Sequence, residues 1–365
     1  LLIAATSLLV ACPAGTGPAP RPGVAAGPGD VALRLRIAQA EARRAGGVDE
    51  LVELAGHGSK PERVLALRGL GRIGRTGGAR PVALLIAALG DADPDVVGAA
   101  AGALGVAASL DDGELGASDA LIGALPRGGG PVVEALGRAG SAAVQPALVA
   151  ALGDARLAEL AGLALGRHGR RKIALAESSR QALVAATASA DPAVRYAAVY
   201  ALAREHQPPD HPESIAALVG RLGDPVPEVR AQAMSGLGRR KAAAAAGAAG
   251  AKLLLDRDWR VAAEAVRALG DSDDGKDAIA AALVRRFDEL ERGEPAAAQV
   301  IIEGERVLAG AAPRPLVAAA LASLIGRAPA AQALPALTRG WIECLALVAI
   351  QRARPDADLA AGLRC

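Results

Sequence analysis

Seven leucines, Leu70, Leu104, Leu136, Leu165, Leu202, Leu237 and Leu269, recur along the sequence at steps of 29 to 37 residues. Around them the segments 61–71, 93–105, 191–203, 227–238 and 258–270 align in register, and 300–309 and 342–351 continue the series at longer gaps. Between them lie second apolar segments, 81–91, 146–154 and 214–224, each ending in Gly-Asp. Self-similarity at a period of ~35 residues marks a stacked repeat built from one supersecondary unit. Val194, Ala197, Ala198, Ala201 and Leu202 fall at i, i+3, i+4, i+7 and i+8, a single helical face. The unit is therefore a helical hairpin, and one hairpin cannot bury that face without its neighbours.

Composition supports helices over strands. Apolar residues make up 52% of the chain, yet Trp259, Trp341, Tyr196, Tyr200 and Phe287 are its only aromatics. The long uninterrupted stretches are of Ala, Leu, Arg and Glu, which lose little freedom in a helix. With so few bulky groups the elements must approach closely. Asp93-Pro94 and Asp191-Pro192 each set an N-cap acceptor before a proline whose missing N–H costs nothing at the first helical position. The expected fold is an all-α, right-handed α-α superhelix over residues 30–365, with about nine or ten hairpins.

These units resemble the HEAT-repeat family, whose hairpins run through an Asp-Pro turn into a second helix opening Val-Arg. Asp224-Pro225 followed by Val229-Arg230 matches that pattern. The resemblance implies a hydrogen-bonded Asp–Arg ladder between repeats. Asp91 and Asp256 lack the arginine within their own unit, and Arg63 and Arg195 lack the aspartate, so an interrupted ladder is expected.

Residues 1–12 form an apolar run too short to cross a bilayer, which needs roughly 20 residues. The run ends in Leu9, Val10, Ala11 and Cys12, which resembles the lipobox of bacterial lipoproteins. That resemblance implies a signal peptide whose basic start lies upstream, lipid attachment at Cys12, and residence in the bacterial cell envelope facing the periplasm or exterior. Residues 13–29 are rich in Pro and Gly and read as a tether. After export, Cys344 is either a small buried helix residue or the disulfide partner of Cys365, within one hairpin of it.

No arrangement of catalytic residues stands out. His206 and His211 flank a Pro-Pro-Asp loop beside Glu205, but no further pair of ligands at fixed spacing accompanies them. Gly128, Gly129 and Gly130 precede Pro131 and read as a loop, not a phosphate cradle. No cofactor, metal or small-molecule substrate is expected. The net charge of +2 gives no whole-molecule attraction to nucleic acid.

The second helix of each unit lines the concave wall in the resembling family. Positions matching Tyr200 are Arg68, Gly102, Ser235, Arg267, Arg306 and Val348, and those matching Arg204 are Arg72, Val106, Arg239, Asp271, Gly310 and Arg352. Half of this row is arginine, which suits carboxylates and phosphates, with Tyr196 and Tyr200 as an aromatic contact point. The expected function is a lipid-anchored, non-catalytic scaffold for a protein or peptide of acidic character. A second reading comes from resemblance to bacterial HEAT proteins that carry a cyclophilin-type peptidyl-prolyl isomerase domain, of which this chain would be the recruiting array. A remote third is a metal-dependent HEAT-fold enzyme.

Overall fold

The computed structural model describes residues 28–111, 115–205, 211–294 and 296–309, with Val317, Ala320 and Leu347. Cys12, Cys344, Cys365, Arg352, His206 and the tether up to residue 27 lie outside the described residues. Sixteen α-helices follow in order: α1 Pro28–Ala42, α2 Val48–His57, α3 Lys60–Ile73, α4 Arg80–Ala88, α5 Pro94–Asp111, α6 Ser118–Ala139, α7 Gln145–Leu152 and α8 Ala158–Arg170. The series continues through α9 Glu177–Ala186, α10 Pro192–Leu202, α11 Pro212–Gly220, α12 Pro227–Arg239, α13 Gly247–Leu253, α14 Trp259–Leu269, α15 Asp273–Glu291 and α16 Ala296–Ala309.

They form hairpins stacked into an all-α superhelical solenoid. α1 packs on α3, and the second helices α3, α5, α6, α8, α10, α12, α14 and α16 each pack on the next. The recurring leucines are the pegs of that stack: six of the seven are 0% exposed, and Leu269 is 8% exposed. The residue after most of them is glycine, and the reason is contact between backbones. A Cβ on Gly71 would sit 2.7 Å from Ala103 Cα, and one on Gly137 would sit 2.7 Å from Ala164 Cα. Glycine facing alanine lets neighbouring helices touch main chain to main chain, so a chain nearly without aromatics can still fill its interior.

The glycine run at 128–130 differs from its reading as a loop. It lies inside α6, where Gly129 takes φ 50° and ψ −129°. Only glycine enters that region without strain, so the turn between the two helices of this hairpin shrinks to a kink. Elsewhere the caps follow the sequence. Asp191 accepts the Ala193 amide at 2.8 Å and Asp258 the Arg260 amide at 2.9 Å, while Ser59 and Glu62 form a capping box at the start of α3.

The ladder runs between successive repeats and is interrupted, and the units that carry only its arginine or only its aspartate complete one another across the stack. Arg195 binds Asp224 through Nε at 2.8 Å and Nη2 at 2.9 Å. Arg230 binds Asp256 at 2.8 and 2.7 Å, and Arg63 pairs with Asp91. Each arginine is the fourth residue after its helix's N-cap, which is Ser59, Asp191 or Val226. The same position holds Ala161 in α8 and Ala262 in α14, where no such step can form. There neutral acceptors take over: the buried Gln145 amide bridges Ala174 O and Ala176 N at 2.7 and 2.8 Å, and Arg286 donates to Leu254 O and Asp256 O, both at 2.8 Å.

Candidate functional site on the wall of second helices

The arginine row expected from the sequence divides into two classes. At the N-terminal end, Arg72 is held by Glu41 of α1, with Nε donating to Oε2 at 2.8 Å and Nη2 to the other oxygen. Toward the C-terminal end, Arg267 donates to Glu264 at 2.7 Å and to Glu303 at 2.6 Å. Arg306 lies 3.8 Å from Glu303. These cations are largely neutralised. Arg68 is exposed beside a cavity of about 310 Å³ that it shares with Arg34, Glu41 and Arg72.

The middle of the wall is different. The Arg204 guanidinium lies 3.8 Å above the Tyr200 ring, a cation–π stack. Tyr196 stands next to Tyr200 with ring centroids 6.4 Å apart. Arg239 is exposed on the following helix and borders a cavity of about 260 Å³ with Tyr196. On the other side of Tyr200 opens a cavity of about 990 Å³ whose lining includes Arg138, Arg167, Arg170, Arg171 and Lys172 and no carboxylate. Among the described residues no carboxylate pairs with Arg167, Arg170, Lys172, Arg204 or Arg239. Arg138 has Glu134 at 3.5 Å. Arg171 is committed to the fold, donating to Gly140 O at 2.5 Å.

The cations feel one another. Burial, with Arg138 close by, pushes the Arg167 guanidinium below its ordinary value, and burial with Arg239 and Arg170 nearby does the same to Arg204. Both stay charged at neutral pH, because guanidinium values begin so high. Arg167 Nη1 is buried and has no acceptor within the described protein. A covered donor without a partner is costly, and an anionic ligand would relieve that cost.

Arg138 and Arg167 are missing from the row drawn on the sequence, yet the register contains them. Each is the second residue after its repeat leucine, Leu136 or Leu165, as Arg204 follows Leu202 and Arg239 follows Leu237. The helices that end in Leu136 and Leu165 do not align with the motif segments from which the row is drawn, and the leucine spacing alone marks them. On the same count the flanking repeats give Val106 and Asp271, so the stripe is bounded at both ends.

The histidine loop takes another role. Glu205 has a side chain 1% exposed and binds Arg180 at 2.5 Å, Ser214 at 2.9 Å and Arg240 at 2.9 Å. Burial alone would raise its carboxyl, but the hydrogen bonds from Arg180, Ser214 and Arg240 hold it below the ordinary value. It joins α9, α11 and the residue that caps the C-terminal end of α12. His211 stands 3.8 Å from Glu205 and 3.6 Å from Glu213. Among the described residues no group of three His, Cys, Asp or Glu is placed to hold a metal ion, and no helix is long and apolar enough to cross a membrane.

Comparison with known proteins bears on the fold. Residues 154–238 match the family model of HEAT repeats. No curated protein matches the chain. Solved structures similar to it include an engineered protein (26% identity, 62% of this chain and 97% of that one, TM-score 0.37). Another is in the complex of CpcE and CpcF of phycocyanin lyase from Nostoc sp. PCC7120 (18% identity, 74% and 94%, TM-score 0.39). A third is in the complex of Kap95p with RanGDP (11% identity, 89% and 55%, TM-score 0.49). The matched segment contains α8 to α11 and nearly all of α12 with the Arg195–Asp224 step; these hairpins are similar to HEAT repeats, and the hairpins on either side stack in the same way.

Proposed function

We propose that this chain is a non-catalytic scaffold that holds an acidic partner polypeptide against the wall of second helices. The observation that carries the reading is the set Arg167, Arg170, Lys172, Arg204 and Arg239, none of which forms an ion pair with a carboxylate among the described residues; the carboxylates nearest to it, Glu134, Glu228 and Glu264, are engaged by Arg138, Arg260 and Arg267. Repeat arrays favour such a role, since stacking leaves one long surface free of connections. Guanidinium forks suit carboxylates, and Tyr196 and Tyr200 add apolar contact at the centre.

The reading includes a lipid anchor at Cys12 and a place in the bacterial envelope, supported by the apolar run 1–12 and the lipobox-like ending Leu9 to Cys12. Its test is metabolic labelling of the chain, expressed from its natural start, with a clickable fatty acid. Label that is lost in Cys12→Ala supports the anchor, and equal label or none in both forms overturns it.

For the scaffold, a labelled peptide rich in Glu, a Ser/Gly peptide of equal length and an oligothymidine of equal charge are compared by fluorescence anisotropy against the full chain. Binding of the acidic peptide that weakens as salt rises from about 50 to about 300 mM supports the reading. No binding of the acidic peptide, or tighter binding of the oligothymidine, overturns it.

A further inference from the structure

Four successive repeats place an arginine at one register position. Arg138, Arg167, Arg204 and Arg239 each stand two residues after a buried repeat leucine, at the C-terminal ends of α6, α8, α10 and α12 or just beyond. The distance from one to the next follows from how the helices meet. Gly137 lies against Ala164, Gly166 against Ala201 and Gly236 against Ala203, and a Cβ on these glycines would come within 2.7 to 3.1 Å of those alanines. Helices in direct contact lie ~8–10 Å apart between axes, and one register position recurs from helix to helix at about that interval.

A ligand that meets all four arginines must offer an acid at that interval. An extended β-strand is a poor match, because its same-face side chains, two residues apart, recur after only about 6.4–6.8 Å. A polyproline II helix has three residues per turn and rises about 3.1 Å per residue, so every third side chain returns to the same face after about 9 Å. Its backbone forms no internal hydrogen bonds and stays open to donors such as Lys172 and Arg170. Its flat, apolar ridges pack well on aromatic rings, and Tyr196 and Tyr200 lie beside the second half of the stripe.

We propose that Arg138, Arg167, Arg204 and Arg239 receive an acidic peptide in polyproline II conformation, with a carboxylate at every third residue and one arginine from each of four consecutive repeats. This rests on the acidic-partner reading above and adds the conformation and spacing that the wall selects. Arg167, with its covered and unpartnered Nη1, is the deepest contact, and Arg204 is oriented in advance by its stack on Tyr200. Arg138 is the weakest, because Glu134 competes for it at 3.5 Å.

The test uses three fluorescent peptides of equal length, each with the same glutamates and prolines: one with glutamate at every third position, one with glutamate at alternate positions, and one with the glutamates in a block. Anisotropy titrations against the full chain are expected to show the every-third peptide binding about tenfold more tightly than either rearrangement. Arg239→Gln, at an exposed position, and Arg167→Lys, which keeps the charge and loses the fork, are each expected to erase most of that preference while circular dichroism remains that of the parent. Equal affinity for the three acidic peptides, or a preference that survives both substitutions, overturns the register proposal and leaves the acidic-partner reading intact. Failure of all three to bind overturns both.

Discussion

Arg195 grips Asp224 with two guanidinium nitrogens, and the same carboxylate accepts the Val226 amide at 3.0 Å. One aspartate, its side chain 0% exposed, thus shapes the turn of its own repeat and ties it to the repeat before. Asp91, Asp154 and Asp256 make the same local bond to the amide two residues on, which explains the Gly-Asp stops in the sequence.

Removing one member of this pair strands the other. Asp224→Ala leaves the Arg195 side chain, 10% exposed, without its carboxylate, and is expected to cost about 3–5 kcal/mol. Replacing both residues by apolar ones should recover part of that loss. Burial pushes the Asp224 carboxyl up, but Arg195 and the Val226 amide bring it below its ordinary value. Its contribution is therefore full at neutral pH and fades as acid protonates the carboxylate below about 4. Urea unfolding of the single and double variants at pH 7 measures the coupling.

His168 supplies a separate acid sensitivity. It is 0% exposed, its Nε2 lies 3.2 Å from Leu136 O, and burial holds it down to about 4 against 6.5 for the free side chain. Above pH 6.5 both the folded and the unfolded forms are neutral and no penalty arises. Between 6.5 and 4 the unfolded chain takes a proton that the folded one refuses, so about 3 kcal/mol is lost across that window. His168→Gln is expected to flatten this part of the stability profile, read from melts at pH 7, 5.5 and 4.

Glu305 carries a penalty of the opposite sense. It is 0% exposed, no donor among the described residues reaches either oxygen, and burial raises its carboxyl to about 9. The unfolded chain ionises this group above 4.5, so folding at pH 7 must take up a proton. Glu305→Gln removes that requirement and is expected to raise stability by about 3 kcal/mol at pH 7, a gain that disappears below pH 4.5. Equal stability of the two proteins at pH 7 would contradict this account.

Glycines within helices usually invite replacement, since alanine there gains about 1 kcal/mol. A Cβ on Gly102 of α5 would meet nothing within 4 Å, and Gly102→Ala should show that gain. Gly137→Ala should reverse it, because the new methyl would meet Ala164 Cα at 2.7 Å, an overpacking that costs about 1–3 kcal/mol. Urea midpoints of the two variants should move in opposite directions.

Much of the architecture can be read from residue types alone. The leucine register, the apolar face of α10 and the Asp191 cap depend on neighbours within one helix, and local patterns encode them. The Asp–Arg ladder does not, since its partners stand 26, 28 or 29 residues apart in different repeats and are assigned only when the stacking is known. The same holds for the wall. That Arg72 is spent on Glu41 depends on α1, which lies outside the repeat pattern, and the loss of Arg267 to Glu303 depends on α16. Arg138 and Arg167 stand in register two residues after Leu136 and Leu165, but the segments that lead up to those leucines do not align with the repeat motif, so the leucine spacing alone marks them.

The glycine–alanine seam also determines how the molecule responds to change over distance. At joints such as Gly71 on Ala103 and Gly137 on Ala164, one second helix is seated directly on the backbone of the next, where no flexible side chain intervenes to absorb a misfit. A displacement at one joint is therefore passed on like a tilted stone in a dry wall: every course above it shifts, by more the farther away it lies. A residue such as Gly71, remote from Arg239 and in contact with nothing near it, can in this way change where that arginine stands.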